Sequence, residues 1–248
     1  MEKNHATPVP VLRAVLFDAY GTLFDVYSVG RLAEELFPGR GQALGLLWRD
    51  KQIEYTHLVT SSSHGAHYRP FWELTRAALV YAIKKIVPDA GGDCTSGRFD
   101  AQIEQLMNQY RCLTAFPENR AVLQALKARG VVTGVLSNGD AAMLAAAVSS
   151  AGLGDLLYHV ISVDAIRKYK THPDAYALGL GATGLPAAQI AFVSSNSWDA
   201  LAATWFGYCT LWVNRSQAPF EELGTQPLYT GNSLRDVLAL PFAGSAPA

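Results

Sequence analysis

The sequence is poor in charged residues and lacks any cluster of one sign. Only 17% of its 248 residues are charged, and the formal net charge is −1. Because no basic block occurs, we expect no nucleic-acid partner. The uncharged stretch 141–154 is too short to span a bilayer, so we expect no membrane partner either.

Cysteine is scarce as well, and so are residues with the spacing of metal ligands. Cys94, Cys112 and Cys209 are widely separated and odd in number, which disfavours a disulfide framework or a zinc knuckle. His64 and His67 lie three residues apart but have no evident third ligand, so no metal site is expected there. Residues 1–10 lack the charged start and apolar run of a secretion signal. These features predict a cytoplasmic protein.

The stretch 15–23 gives the first positive signal for a fold. An apolar run leads straight into Asp18, and a turn at Gly21 follows. This pattern predicts a buried strand of a parallel sheet, with Asp18 at the carboxyl end, where open α/β sheets bind ligands. Taken alone, Asp18 could equally be a helix cap or a turn residue.

The rest of the chain divides into a helical part and a part in which helices and strands alternate. Apolar spacing predicts helices over 29–55, 70–87 and 99–111. From residue 117 onwards helical segments are separated by short apolar strands, which we place at 131–136, 159–162, 190–193 and 210–213.

This order predicts an α/β fold: a doubly wound, Rossmann-like parallel sheet with a helical cap domain inserted after the first strand. We expect the core to comprise residues 1–23 and 112–240 and the cap to comprise residues 24–111. Residues 241–248, which are small and rich in proline and glycine, are expected to form a flexible tail.

Polar side chains follow several of the predicted strands. Asp18 follows the first strand, Ser137 and Asn138 follow the second, and Lys170 lies in the connection after the third. The fourth strand leads into the segment 194–199, which ends in an aspartate. Because the carboxyl ends of parallel strands meet at one edge of a sheet, these groups are expected to converge on one crevice.

The combination of Asp18, Gly21 and Thr22 with Ser137-Asn138, Lys170 and a downstream acid resembles the haloacid dehalogenase superfamily. Within it the chain is most similar to the L-2-haloacid dehalogenases. The matching strings are spread over most of the chain, at 17–23, 48–56, 136–139, 169–176 and 193–199.

Tyr20 is the most informative position for the reaction class. Superfamily phosphatases generally have a second aspartate there, which protonates the leaving group and helps to hold Mg²⁺. A halide needs no proton donor because it leaves as a stable anion. Ser194, Ser195 and Asn196 also stand where a Mg²⁺ site requires acidic oxygens. We therefore expect a dehalogenase that uses no metal or other cofactor.

The resemblance implies a catalytic role for four charged residues. Asp18 would attack the carbon that carries the halogen and form an ester, and Lys170 would favour the ionised form of Asp18. Arg49 would accept the halide, because a guanidinium is weakly hydrated. Asp199, oriented by Ser194 and Asn196, would activate the hydrolytic water.

The resemblance also implies a substrate pocket, a small 2-haloacid substrate, a halide product and a homodimer. Thr22 and Tyr176 would support the catalytic groups by hydrogen bonds. The backbone at Ala19 and Tyr20 would hold the substrate carboxylate together with Ser137 and Asn138. The predicted apolar wall consists of Tyr20, Ile53, Phe71 and Trp198.

Less specific interpretations exist for most of these residues. Arg49 could be a solvated arginine on an amphipathic helix, and Lys170 could lie on a loop surface. Asp199 could be a first-turn acid favoured by the helix dipole, while Trp198 and Phe71 could be core aromatics. Three alternative functions also remain at this point: a phosphatase of the same fold, a dehalogenase that prefers haloacetates including fluoroacetate, and a binding module without catalysis.

Overall fold

A six-stranded parallel sheet lies at the centre of the molecule, as the computed structural model describes it for residues 11–62, 65–87 and 97–243. Its strands are β1 (Ala14–Phe17), β2 (Val132–Ser137), β3 (His159–Ser162), β4 (Ile190–Ser194), β5 (Cys209–Val213) and β6 (Tyr229–Gly231). The predictions for the N-terminal ten residues, His64, Cys94 and the tail beyond residue 243 lie outside the described ranges.

The strand order is β3-β2-β1-β4-β5-β6, and every neighbouring pair is parallel. β1 therefore lies between β2 and β4, at the point where the winding direction reverses. All residues of β1, β4 and β5 are buried, as expected for strands covered by helices on both faces. The predicted doubly wound sheet is confirmed.

Eight α-helices surround or extend the sheet in the described part of the chain. Four of them lie between β1 and β2 in sequence and form the cap: α1 (Gly30–Leu36), α2 (Gly41–Ser61), α3 (Phe71–Ile86) and α4 (Asp100–Arg111). The other four belong to the core: α5 (Asn119–Ala128), α6 (Ala141–Ser150), α7 (Pro173–Thr183) and α8 (Ser197–Phe206). The insertion of a helical cap after the first strand is thus observed, whereas the residues at which it begins and ends stay a prediction.

The single helix predicted over 29–55 is wrong, because the chain forms two helices there. Pro38 and Gly39 separate α1 from α2, and Gly39 has a φ of 74°, which favours glycine. The carboxylate of Glu34 then caps the second helix by accepting a hydrogen bond from the Gly41 amide at 2.8 Å. A Cβ atom on Gly41 would lie 2.4 Å from the backbone nitrogen of Glu34, so α1 and α2 approach each other closely only because residue 41 is glycine.

The sixth strand was not predicted. β6 contains only three residues, Tyr229–Gly231, and none of them is fully buried. A segment this short and this exposed carries no alternating or apolar pattern, and it is held in place by its pairing with β5.

The two chain segments that join cap and core run side by side. The amide of Asp25 donates to the carbonyl of Thr114 at 2.8 Å, and the amide of Phe116 donates to the carbonyl of Leu23 at 3.1 Å. Phe24 and Ala115 form an antiparallel bridge between these two bonds. The cap therefore leaves and re-enters the core through one short two-stranded ribbon.

Within the described ranges, no helix is long and apolar enough to cross a membrane.

Candidate active site

The candidate site lies at the carboxyl edge of the sheet, between β1 and β4. Asp18 is the first residue after β1, and its amide donates to the carbonyl of Val193 in β4 at 2.9 Å. The chain then turns sharply at Gly21, whose φ is 98°. This turn directs Thr22 back towards the aspartate and leaves Asp18 in the crevice expected at a topological switch point.

Three side chains hold the carboxylate of Asp18, which is only 5% exposed. Oδ1 accepts a hydrogen bond from Nζ of Lys170 at 3.0 Å. Oδ2 accepts bonds from Oγ1 of Thr22 at 3.1 Å and from Nδ2 of Asn196 at 2.8 Å. The carboxylate is therefore fixed in one orientation by three hydrogen-bond donors.

Asp199, in the first turn of α8, is held by the same ammonium. Its Oδ2 accepts from Nζ of Lys170 at 3.1 Å, and its Oδ1 accepts from the hydroxyl of Tyr176 at 2.8 Å. Asp199 and Lys170 are both fully buried. One cation thus links the two carboxylates that sequence analysis placed at different strand ends.

Burial and charge act in opposite directions on this cluster. Burial by itself lowers the pKa of Lys170, but the charges of Asp18 and Asp199 outweigh it and the pKa is raised, so the ammonium stays charged. Burial raises the pKa of Asp199, with the charge of Asp18 adding to the shift and that of Lys170 opposing it. Asp199 is therefore a stronger base than an exposed aspartate.

Arg49 reaches the cluster from helix α2 of the cap. Its Nη2 donates to the carbonyl of Tyr20 and to Oδ1 of Asn196, both at 3.1 Å, and its Nη1 donates to Oε1 of Gln52 at 2.7 Å. Asn196 thus contacts the carboxylate of Asp18 through its amide nitrogen and the guanidinium of Arg49 through its amide oxygen.

Backbone amides with no hydrogen-bond partner within the described residues follow β1 and β2 at the same edge of the sheet. In the described part of the chain, the buried amides of Ala19, Tyr20 and Asn138 form no hydrogen bond. Oδ1 of Asn138 accepts from the amide of Lys170 at 2.9 Å, and Oγ of Ser137 accepts from the amide of Gly139 at 3.1 Å. These contacts tie the loop after β2 to the loop that carries the ammonium.

Aromatic rings close the site on the cap side. The ring of Tyr20 packs against Phe71 and Tyr110, with centroids 5.6 and 5.7 Å away. Burial raises the pKa of Tyr20 well above its usual value, so its phenol remains neutral. Trp198 forms an edge contact with His57 of α2 at 5.6 Å. These rings limit the access of water to the charged groups, which strengthens their interactions.

A family model described as a haloacid dehalogenase-like hydrolase matches residues 12–207. The (S)-2-haloacid dehalogenase of Pseudomonas sp. (strain YL) is 40% identical over 229 residues, which cover 92% of this chain and 94% of that protein. The chain belongs to the L-2-haloacid dehalogenase family.

This family member is also similar to other dehalogenases in sequence and in structure. The haloacetate dehalogenase H-2 of Moraxella sp. (strain B) is 40% identical over 88% of this chain and 93% of its own length. The crystal structure of the L-2-haloacid dehalogenase RSc1362 has 51% identity and a TM-score of 0.86, and the match covers 94% of this chain and 99% of that one. The Xanthobacter autotrophicus enzyme with chloropropionic acid covalently bound has 35% identity and a TM-score of 0.81, with 92% and 97% covered.

In this dehalogenase family member, the residues that orient Asp199 differ from those expected. Ser194 and Asn196 were expected to orient Asp199, but Tyr176 and Lys170 do so. The side chain of Asn196 turns towards Asp18 instead, and Oγ of Ser194 accepts from the amide of Asn196 at 3.2 Å. The reason is the helical start at α8, which places Asp199 a full turn beyond these residues and next to α7.

The predicted site residues are otherwise brought together to different degrees. Seven of them form one continuous hydrogen-bonded network: Asp18, Lys170, Asp199, Thr22, Tyr176, Asn196 and Arg49. Phe71 contacts Tyr20, and Trp198 lies nearby at the contact between α2 and α8. Ile53 is half-buried on α2.

Gln52 and Tyr110 were not predicted as site residues. Both are buried, and both contact the region of Arg49 from the cap. The position of Gln52 one turn after Arg49 is a signal that the sequence offers. The contact with Tyr110 joins two helices far apart in sequence, so no periodicity predicts it.

The donor set does not suit a divalent cation. Nζ of Lys170 occupies the space between the two carboxylates, so an added metal ion would face a fixed positive charge. Within the described ranges, no cluster of three or more histidine, cysteine, aspartate or glutamate side chains is placed to bind a metal.

Proposed function

We propose that this protein is a hydrolytic (S)-2-haloacid dehalogenase. It converts short L-2-haloalkanoic acids into D-2-hydroxy acids through an ester on Asp18. The observation that carries the proposal is the pair of buried carboxylates, Asp18 and Asp199, on one ammonium, with Tyr20 where the related phosphatases have an acid. The named relatives support the same reaction class.

In the first step, the carboxylate of Asp18 attacks the carbon that carries the halogen. A carbon–oxygen bond forms, the carbon–halogen bond breaks, and the electron pair leaves with the halide. Arg49 accepts the halide, because its guanidinium is weakly hydrated and lies close to Asp18 through the shared contact with Asn196. The tightly held orientation of Asp18 favours this displacement by reducing the entropy that must be lost.

In the second step, Asp199 removes a proton from water, which attacks the ester carbonyl of Asp18. The bond between Cγ of Asp18 and the ester oxygen then breaks, and the departing alkoxide takes the proton from Asp199 to leave as the hydroxy acid. The Asp18 carboxyl group releases its remaining proton to solvent and is regenerated as a carboxylate. The raised pKa of Asp199 suits it to this role as a general base. Lys170 stays protonated throughout and balances the charge of both carboxylates.

The substrate carboxylate binds at the amides of Ala19, Tyr20 and Asn138, together with the hydroxyl of Ser137. These amides lie at the edge of the sheet next to Asp18 and lack partners among the described residues. Holding the carboxylate there determines which face of the carbon meets Asp18, and inversion during the attack then gives the D-product.

Haloacetates are a second candidate substrate class, which the 40% identical haloacetate dehalogenase of Moraxella sp. favours. We also propose that the enzyme is metal-independent, because Lys170 supplies the positive charge between the carboxylates. A cytoplasmic location and a homodimer are proposed on the resemblance to the family; exposed apolar residues of the cap, Leu46 and Leu58, are available for such a contact.

The proposal is tested by halide release from L- and D-2-chloropropionate and from fluoroacetate, with and without a chelator. We expect release from the L-isomer, no loss with the chelator, and no turnover by Asp18→Asn, because an amide is a far poorer nucleophile than a carboxylate. Mass spectrometry of the variant excludes deamidation back to aspartate. Steady-state release by an intact Asp18→Asn variant would falsify the assignment.

A further inference from the structure

Gln52 is a buried polar residue of α2 to which the reaction described above gives no role. Its side chain is 1% exposed and lies one helical turn after Arg49. Oε1 accepts hydrogen bonds from Nη1 of Arg49 at 2.7 Å and from the hydroxyl of Tyr110 at 3.2 Å. Nε2 donates to Oγ1 of Thr75 on α3 at 2.6 Å. Three of the four hydrogen-bonding positions of its amide are therefore engaged inside the cap.

The orientation of the Gln52 amide follows from its neighbours. Oγ1 of Thr75 has one hydrogen, which it donates to the carbonyl of Phe71 at 2.7 Å. Towards Gln52 it can therefore act only as an acceptor, so the amide nitrogen of Gln52 must point to Thr75. The amide oxygen is then fixed towards Arg49. Burial raises the pKa of Tyr110, so its phenol stays protonated and remains a donor to the same oxygen.

The partners of Arg49 share one property, which is that none of them is charged. They are the amide oxygens of Gln52 and Asn196 and the carbonyl of Tyr20. Across the described ranges, no carboxylate forms an ion pair with this guanidinium. Neutral acceptors fix the direction of the group but leave its positive charge available for an anion.

We propose that Gln52, held by Thr75, is a positioning residue that orients Arg49 and keeps its charge free for the departing halide. This inference rests on the proposed function, in which Arg49 accepts the halide. The proposal predicts that replacing Gln52 slows only the step in which the carbon–halogen bond breaks. Gln52 acts while the carbon–halogen bond breaks and the electron pair moves to the halide. Among the described residues, its side chain forms no hydrogen bond with Asp199 or Tyr176, which serve the later hydrolysis of the ester.

The test compares Gln52→Glu and Gln52→Met in the full-length chain. Glutamate keeps the shape of the Gln52 side chain but places a negative charge beside the guanidinium of Arg49. Methionine keeps the side-chain volume but removes the oxygen that accepts the hydrogen bond from Arg49. The matched control is Gln42→Glu, which adds the same charge at an exposed position of the same helix. Rapid-quench mass spectrometry with L-2-chloropropionate measures the formation and the decay of the Asp18 ester separately, and inhibition by bromide reports on the anion site.

We expect ester formation to slow at least about tenfold in both Gln52 variants, since a hydrogen bond to a charged group is lost or its charge is cancelled. Bromide inhibition should weaken by a similar factor, most strongly in Gln52→Glu, and ester decay should stay within about twofold of the wild type. The Gln42→Glu control should match the wild type in all three measurements.

Equal slowing of ester formation and decay would indicate a merely structural role and overturn the proposal, and so would unchanged ester formation with unchanged bromide inhibition. A failure of the proposed function is a different result, because the wild type would then release no halide. In that case calorimetric titration with bromide still tests the inference: weaker binding by Gln52→Glu than by the wild type supports it, and equal or absent binding refutes it.

Discussion

At the scale of single residues, the site depends on a buried cation shared by two carboxylates. Taking these three charges out of water is costly, and the cost is offset only because each carboxylate oxygen also has a hydrogen-bond donor or lies against the ammonium. Thr22 and Asn196 serve Asp18, and Tyr176 serves Asp199. The two carboxylates therefore occupy different environments although they share Lys170, which suits one to attack carbon and the other to accept a proton.

The hydrogen bond from Tyr176 gives a testable pH dependence. This bond lowers the pKa of Asp199, which burial otherwise raises. Tyr176→Phe should raise that pKa further, so that Asp199 becomes protonated at a higher pH. Because only the ionised form removes a proton from water, the rate of ester hydrolysis should fall off earlier as the pH decreases. The pH profile of the ester decay rate measures this shift.

Tyr208→Phe is the matched control for that experiment. Its buried hydroxyl donates to the backbone carbonyl of Tyr176, not to a carboxylate. In this variant, the acidic limb of the pH profile of ester decay should lie at the same pH as in the wild type. An unshifted limb in Tyr176→Phe would contradict the assignment of Asp199 as the base.

At the scale of elements, the close approach of α1 and α2 depends on one glycine. Gly41→Ala would place Cβ 2.4 Å from the backbone nitrogen of Glu34 and 2.6 Å from its Cα. Since backbone atoms cannot move aside cheaply, we expect a loss of about 1–3 kcal/mol in the free energy of unfolding. Urea denaturation measures this loss as a lower midpoint concentration, with an unchanged dependence of the free energy of unfolding on urea.

Gly45 provides a control in the same helix. Apart from the neighbouring backbone of its own helix, no atom would lie within 4 Å of a Cβ at this position. Gly45→Ala should therefore stabilise the protein by about 0.5–1 kcal/mol, because alanine loses less backbone entropy in a helix. If both variants change stability in the same direction, the packing explanation for Gly41 is wrong.

The elements also show what the sequence could and could not predict. Asp18, Lys170 and Asp199 were placed correctly at one edge, because the carboxyl ends of parallel strands converge whatever their separation in sequence. The break at Pro38 and Gly39 was missed although the dipeptide is a turn signal, since apolar residues continue at helical spacing on both sides. The direction of the Asn196 side chain depends on how α2 and α8 pack together, and no local pattern contains that information.

At the scale of the whole molecule, side-chain contacts outside the ribbon also fasten the cap to the core. The hydroxyl of Tyr68 in the cap donates to Asp164 in the core, and the hydroxyl of Tyr169 donates to the carbonyl of Arg69 at 2.6 Å. The rings of Tyr68 and Tyr169 also stack, with centroids 5.4 Å apart. The cap is thereby joined to the core through these side chains as well as through the ribbon.

Tyr68→Phe removes one of these connections and keeps the stacked ring. A hydrogen bond to a charged acceptor is lost, so the cap should open more often, at a cost of about 1–3 kcal/mol. Hydrogen exchange should become faster in α3 while the amides of β1 and β4 remain protected. The exposed Tyr158→Phe serves as the control, and unchanged exchange in α3 would show that this contact does not hold the cap.

The ribbon formed by residues 23–25 and 114–116 has a consequence for how such proteins diversify. Both ends of the cap meet there, so one contiguous stretch of gene encodes Arg49, Gln52, Phe71 and Tyr110 without interrupting the sheet. Exchange of that stretch for another would leave Asp18, Lys170 and Asp199 in place and present them with a different side chain at the position of Arg49. A new activity can thus be acquired by replacing the segment that encodes the cap, while the sheet and its three charged residues stay unchanged.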